Sequence, residues 1–165
     1  MTFLDKEPVQ RVEGILKQFN RNLGVIVLKN SARTALEAAS SLECEVGAIV
    51  KSLLFKTEEN FILCLVSGDK KVSLKKIKKI LNKKDVSMAS ADDVKNITGF
   101  TIGGVSPIGH LNKIDILIDH SLDRFDKLFA AAGHPNCVFK ISFKNLSIIT
   151  KGSVTEFVEW DNQNY

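Results

Sequence analysis

Apolar positions recur along this chain in two periods, and the switches between them mark out short elements. Asp5 to Phe19 carries Val9, Val12, Leu16 and Phe19 at helical spacing, with Asp5 placed to cap and Pro8 in the first turn, which predicts an amphipathic helix. Gly24 to Leu28 is a β-branched run and reads as a strand. Ser31 is placed to cap an alanine-rich helix that continues through Leu42. Val46 to Lys56 and Phe61 to Val66, separated by Thr57-Glu58-Glu59-Asn60, are apolar on both faces and predict a hairpin of two central strands. Ser73 opens a short helix with Leu74, Ile77 and Leu81 inward, and Ser90 caps another through Asn96 that closes near Gly99.

Beyond Gly99 the regular patterns stop. Thr98 to His110 reads TGFTIGGVSPIGH, with four glycines and a proline, a composition that specifies a shaped loop rather than an element. From Ile114 to Asp119 alternation returns and predicts a strand with one buried face. Phe125 to Ala132 fits strand or helix and is read as strand. Gly133-His134-Pro135-Asn136 is a turn, Val138 to Phe143 a strand, Asn145 to Thr150 a last short helix, and the tail is expected to fray over 156–165. Short strands and helices without regular βαβ alternation predict an α+β domain around a mixed, strongly curved, barrel-like sheet.

Composition fits one domain over 1–165, with an N-terminal helix within 1–20: 44% apolar content is ample for a single core, and no linker or internal repeat divides the chain. The charged N-terminus does not read as a signal peptide and no apolar run approaches bilayer length, so a cytoplasmic location with no membrane partner is expected. Cys44, Cys64 and Cys137 are an odd number without CxxC spacing, which predicts free, mostly buried thiols. The net charge is only +4, but Lys70, Lys71, Lys75, Lys76, Lys78, Lys79, Lys83 and Lys84 cluster into a basic face that is either solvated surface or a site for an anionic partner.

Several enzyme signatures are approached and missed. Gly104 to Gly109 has nearly the spacing of a nucleophile elbow, but Pro107 follows Ser106 and has no N–H for an oxyanion. The same span has P-loop spacing with His110 and Leu111 where Lys and Ser or Thr are required. His110, His120 and His134 lack metal-ligand spacing, so no metal and no cofactor is expected. Lys51 interrupts an apolar strand on the face of Ile49, Leu53 and Phe55; its ammonium either snorkels to the rim or sits in a pocket. A loop rich in backbone donors, that lysine and a basic helix suit an anionic, ester-bearing ligand.

AIVKSLLF (48–55), VSGDKKVSLKKIKKIL (66–81), TGFTIGGVSPIGH (98–110), ILIDHSL (116–122) and AAGHPNCVFKIS (131–142) together resemble the YbaK-type and prolyl-tRNA-synthetase-associated editing domains, trans-acting aminoacyl-tRNA deacylases, in the family's order and spacing. The resemblance implies hydrolysis of the ester between a wrong amino acid and the 3′ adenosine of tRNA, with a synthetase as a further partner. It places the family's essential lysine on Lys51, holding the tRNA 3′ end. It places the catalytic GxxxP loop on Gly103, Gly104 and Pro107, with Val105 and Ser106 between them against the aminoacyl group. By the same resemblance His134, with Gly133, lines the amino-acid pocket and Ser52 faces it; because single-stranded 3′ ends are commonly held by cations, Lys75, Lys76 and Lys79 of the basic helix are candidates for tRNA contact. The expected substrate is a small amino acid such as alanine, serine or cysteine on tRNA of the proline type. The competing readings are a non-catalytic RNA-binding module using the lysine helix and a hydrolase of another small acyl ester.

Overall fold

The two strands expected at the centre of the sheet are there, and everything else is hung from them. In the computed structural model, which describes residues 2–159, β2 (Ile49–Thr57) and β3 (Phe61–Ser67) pair antiparallel from Val50↔Ser67 to Lys56↔Phe61. Around them stand β1 (Val25–Val27), β4 (Val86–Met88), β5 (Asp115–Asp119), β6 (Leu128–His134), β7 (Cys137–Ile141) and β8 (Ser153–Thr155). The sheet order is β1-β7-β6-β2-β3-β5-β8, with β4 added on β2. It is mixed: β2 with β6, β3 with β5 and β5 with β8 are parallel, the other pairings antiparallel. The α+β reading with a mixed, curved sheet holds.

Five helices surround it among the described residues: α1 (Glu7–Phe19), α2 (Ala35–Leu42), α3 (Leu74–Leu81), α4 (Ala91–Thr98) and α5 (Phe143–Thr150). The periodicity that predicted α1 buries Val9, Val12 and Leu16 completely, in one core with Leu63, Leu65, Phe139 and Leu128. The other sheet face is covered in two separate clusters, one under α3 around Ile77, Cys64 and Phe157, the other under α2 around Ala38, Ile49 and Val138. Lys51 projects from that face between Ile49 of one cluster and Phe55 of the other. All three cysteines are free, with Cys64 and Cys137 buried.

Several boundaries differ from expectation for local reasons. Thr34, not Ser31, caps α2, its hydroxyl accepting the N–H of Glu37. Val46–Ala48 is a 3-10 turn, so β2 starts at Ile49. His120–Arg124 is another, capped by Asp119, so the next strand begins only at Leu128. Ser142 caps α5 and draws Phe143 from the predicted strand into the helix. β6 extends to His134 through an irregularity after Ala131, which puts Gly133 in the strand rather than the turn. Fraying from 156 is corrected for the first residues of the tail: Phe157 is fully buried, its N–H bonded to Asp119, and Val158 bridges Val72. The remainder, 160–165, lies outside the described residues.

Candidate active site

The split edge of β2 creates the site. One edge of this strand is taken by β3; the other pairs with β6 only at Ile49 and Val50 and with β4 only from Phe55 onward. Between them, Lys51 to Leu53 have no strand neighbour on that side among the described residues, and a cavity of about 360 Å³ opens there. Its wall includes Lys51, Ser52, Gly103, Val105, Ala130 and Cys137, and Arg33 and Thr34 from the start of α2. Exposed Met88 and Ile102 also line it and add apolar surface.

The ammonium of Lys51 is half-buried and donates a 2.6 Å hydrogen bond to the carbonyl of Lys70. Burial lowers its pKa from the ordinary lysine value, and the charge of Asp69 opposes that shift. Ser52 presents a buried hydroxyl with no hydrogen-bond partner among the described residues.

The loop between α4 and β5 forms the facing wall. Gly99, Gly103 and Gly109 all have positive φ, at 79°, 95° and 81°, which accounts for glycine at these turns. Gly103 and Val105 reach the cavity, and among the described residues their N–H groups donate to no protein acceptor. Gly104 lies behind them: its carbonyl accepts the N–H of Gly133 at 3.1 Å, and a Cβ there would stand 2.9 Å from the backbone nitrogen of His134.

The structure therefore brings together Lys51, Ser52, Gly103 and Val105 on one cavity. Gly104, Ser106, Pro107, Gly133 and His134 are not among its lining residues. Ser106 is fully buried, its hydroxyl accepting the N–H of Ile108. Pro107 is buried in the loop, on a separate shallow groove near Ile15 and Ile149. Gly133 has φ 93° and abuts the backbone of Pro8; the ring of His134 rests 4.5 Å from that of Phe3, with Nδ1 accepting from the N–H of Asn136. Burial first, then the charges of Lys6 and Arg33, lower the His134 pKa.

Of the three lysines singled out on α3, Lys75 and Lys79 are exposed, whereas Lys76 is tied to Glu156 at 3.3 Å and to the carbonyl of Val158 at 2.7 Å. Phe100 is core, 1% exposed.

Arg33 and Arg11, which meet the glycine loop, escaped the sequence reading. Arg33 packs along Gly103 at the cavity, with its Cγ 3.4 Å from where a Cβ would sit. Arg11, in the helix that looked like simple packing, lies 4.7 Å over the Phe100 ring and bonds the loop carbonyls. The only available signal was Arg11 four residues after Glu7, which reads as a surface pair.

The family model for the aminoacyl-tRNA editing domain matches residues 29–147, the span holding the cavity and both its walls. The chain belongs to the aminoacyl-tRNA editing domain family. It is 34% identical over 131 residues to the uncharacterized protein YwhH of Bacillus subtilis (strain 168), covering 79% of this chain and 83% of that one. It is also 32% identical over 132 residues to the proline–tRNA ligase of Caldicellulosiruptor bescii, covering 80% of this chain but only 22% of the ligase. The chain thus spans about a fifth of that ligase's length. A solved structure described as a candidate trans-editing enzyme for prolyl tRNA synthetase superposes with a TM-score of 0.88 at 35% identity, over 94% of this chain and 99% of that one.

Proposed function

We propose that this editing domain hydrolyses the ester of mischarged aminoacyl-tRNA in trans, removing a small amino acid such as alanine, serine or cysteine from tRNA of the proline type. One observation carries the reading: Lys51, with its half-buried ammonium, and Gly103 and Val105, whose N–H groups donate to no protein acceptor among the described residues, line one small cavity in a chain of the editing family.

In this reading Lys51 holds the anionic 3′ end, and the cavity takes the amino acid. The Gly103 and Val105 N–H groups steady the attacking water and the oxyanion of the tetrahedral intermediate. An aminoacyl ester is labile, so placing a water and stabilising an oxyanion supplies much of what its hydrolysis needs. Gly104 and Pro107 act by shaping the loop, with Gly133 and His134 supporting it from behind and Ser106 bracing it internally. Ser52 contributes a hydroxyl to the amino-acid pocket. Met88 and Ile102 offer an apolar platform for the terminal adenine, and Arg33 with the exposed Lys75 and Lys79 offers charge for phosphates. The relation to proline–tRNA ligases supports the choice of tRNA and makes a synthetase the expected partner.

A full panel of aminoacyl-tRNAs tests this. Selective loss of one or a few small amino acids from the proline-type tRNA is the expected result. Salt-sensitive RNA binding without ester loss contradicts catalysis, and hydrolysis indifferent to the tRNA body contradicts the substrate.

A further inference from the structure

The carbonyl that holds Lys51 belongs to a surface turn. Lys70 closes the turn Ser67–Lys70 at the exit of β3, with its N–H on the Ser67 carbonyl at 3.1 Å. The turn is bolted to the start of β2 by Gly68 N–H on the Ile49 carbonyl at 2.8 Å and to the 3-10 turn before it by the Ser67 hydroxyl on the Gly47 carbonyl. A side chain distant in sequence converges on the same turn. Arg124 chelates Asp69 through Nη1 to Oδ2 at 3.0 Å and Nη2 to Oδ1 at 2.7 Å. Its Nη2 also reaches the Ser67 hydroxyl at 2.9 Å, its Nε the Ser121 carbonyl at 2.7 Å, and its guanidinium lies 4.9 Å over the Phe125 ring. Gly47 completes the fit, since a Cβ there would meet the Phe125 ring at 2.6 Å and Asp69 at 3.0 Å.

Three of the four hydrogen bonds of the Arg124 guanidinium, two to Asp69 and one to Ser67, go to the Ser67–Lys70 turn, although a pair whose side chains remain 40% and 37% exposed contributes little to stability. What they define is the position of the turn, and Asp69 sits next in sequence to the residue whose carbonyl captures the Lys51 ammonium.

We propose that the Asp69–Arg124 pair is a positioning device that locks the Ser67–Lys70 turn so that the Lys70 carbonyl presents the Lys51 ammonium to an anionic group at the cavity. The identity of that anion, the tRNA 3′ end, rests on the proposed function; the mechanical coupling does not. Neither residue touches substrate in this account.

The test uses the full chain with Arg124→Ala, Asp69→Asn and Arg124→Lys. The first readout is the ¹³Cε–¹Hε NMR correlation of Lys51, assigned with Lys51→Arg. In Arg124→Ala and the near-isosteric Asp69→Asn this signal is expected to move toward that of a solvated lysine while those of Lys75 and Lys79 stay put, and Arg124→Lys is expected to restore it in part. The second readout is kcat/KM on the aminoacyl-tRNA that the wild type clears, expected to fall roughly ten- to hundredfold in the first two variants and less in Arg124→Lys. An unmoved Lys51 signal in folded Asp69→Asn overturns the proposal, as does a moved signal with unchanged kcat/KM. If the wild type clears no aminoacyl-tRNA, the proposed function fails, and the NMR readout still decides whether the pair positions Lys51.

Discussion

Arg11 Nε donates to the carbonyl of Gly109 at 2.7 Å across 98 residues of sequence, so the first helix holds down the far end of the glycine loop. The same guanidinium bonds the Gly99 carbonyl at 3.3 Å and covers Phe100, which ties the loop's beginning to its end. Arg11→Ala is expected to cost about 2 kcal/mol, the range for hydrogen bonds from a charged donor. Urea denaturation checks the stability, and hydrogen exchange at the amides of 99–109 is expected to accelerate more than exchange in β3.

Gly104 faces backbone, so a single methyl group has nowhere to go. A Cβ would lie 2.9 Å from the His134 nitrogen and 3.0 Å from the Gly133 carbonyl carbon. Gly104→Ala therefore has to push the loop off β6 toward the cavity, at a cost of about 1–3 kcal/mol. Deacylation should fall by far more than the folded fraction does, read as single-turnover rate against thermal midpoint.

His110 links stability to pH. Its Nε2 lies 2.7 Å from the Ser106 carbonyl, which a protonated Nε2 satisfies in the neutral ring. Burial, with the Arg11 charge as a smaller contributor, lowers its pKa from the ordinary value of 6.5, although the Ser106 bond opposes the shift. Between the lowered folded pKa and 6.5 the unfolded chain binds more protons, so stability rises with pH through that window, is lost as pH falls through it and changes no further below the folded pKa. His134, also lowered, adds in the same direction. Urea midpoints from pH 7.5 to 5.5 are expected to fall, and His110→Gln, which keeps a donor for Ser106, should flatten the slope.

Among the described residues the buried Ser52 hydroxyl has no partner, and such a group costs free energy until something pairs with it. Ser52→Ala is expected to stabilise the free protein by about 1 kcal/mol, or roughly 2–4 °C in thermal midpoint for a chain of this size. If the hydroxyl pairs with a bound amino acid, the same variant loses discrimination between seryl and alanyl esters in competition assays.

The fold was legible because its central strands are short runs apolar on both faces, β5 alternates in period two, and its helices repeat in period three to four. What blurred the edges was capping: Thr34 and Ser142 stand beside other residues able to cap, and nothing in the pattern over 125–132 marks Leu128 rather than Phe125 as the start of the strand. β4 and β8 went unread. At the site, Lys51 stood out as a charge in an apolar strand and the loop stood out by its glycines. Arg11, Arg33 and the Asp69–Arg124 pair did not, because a charged residue on a surface pattern shows its partner only once the fold brings the two together. The family motif is contiguous, whereas the cavity selects from it: Gly103 and Val105 line the wall, and Gly104, Ser106 and Pro107 stand behind it.

Single-turnover deacylation by Lys51→Ala, beside the wild type on the aminoacyl-tRNA that the wild type clears best, tests the central claim most directly. The account predicts loss of turnover with the thermal midpoint unchanged or slightly raised, since a half-buried ammonium with a lowered pKa is a burden on the fold. Wild-type hydrolysis rates in that folded variant would contradict it.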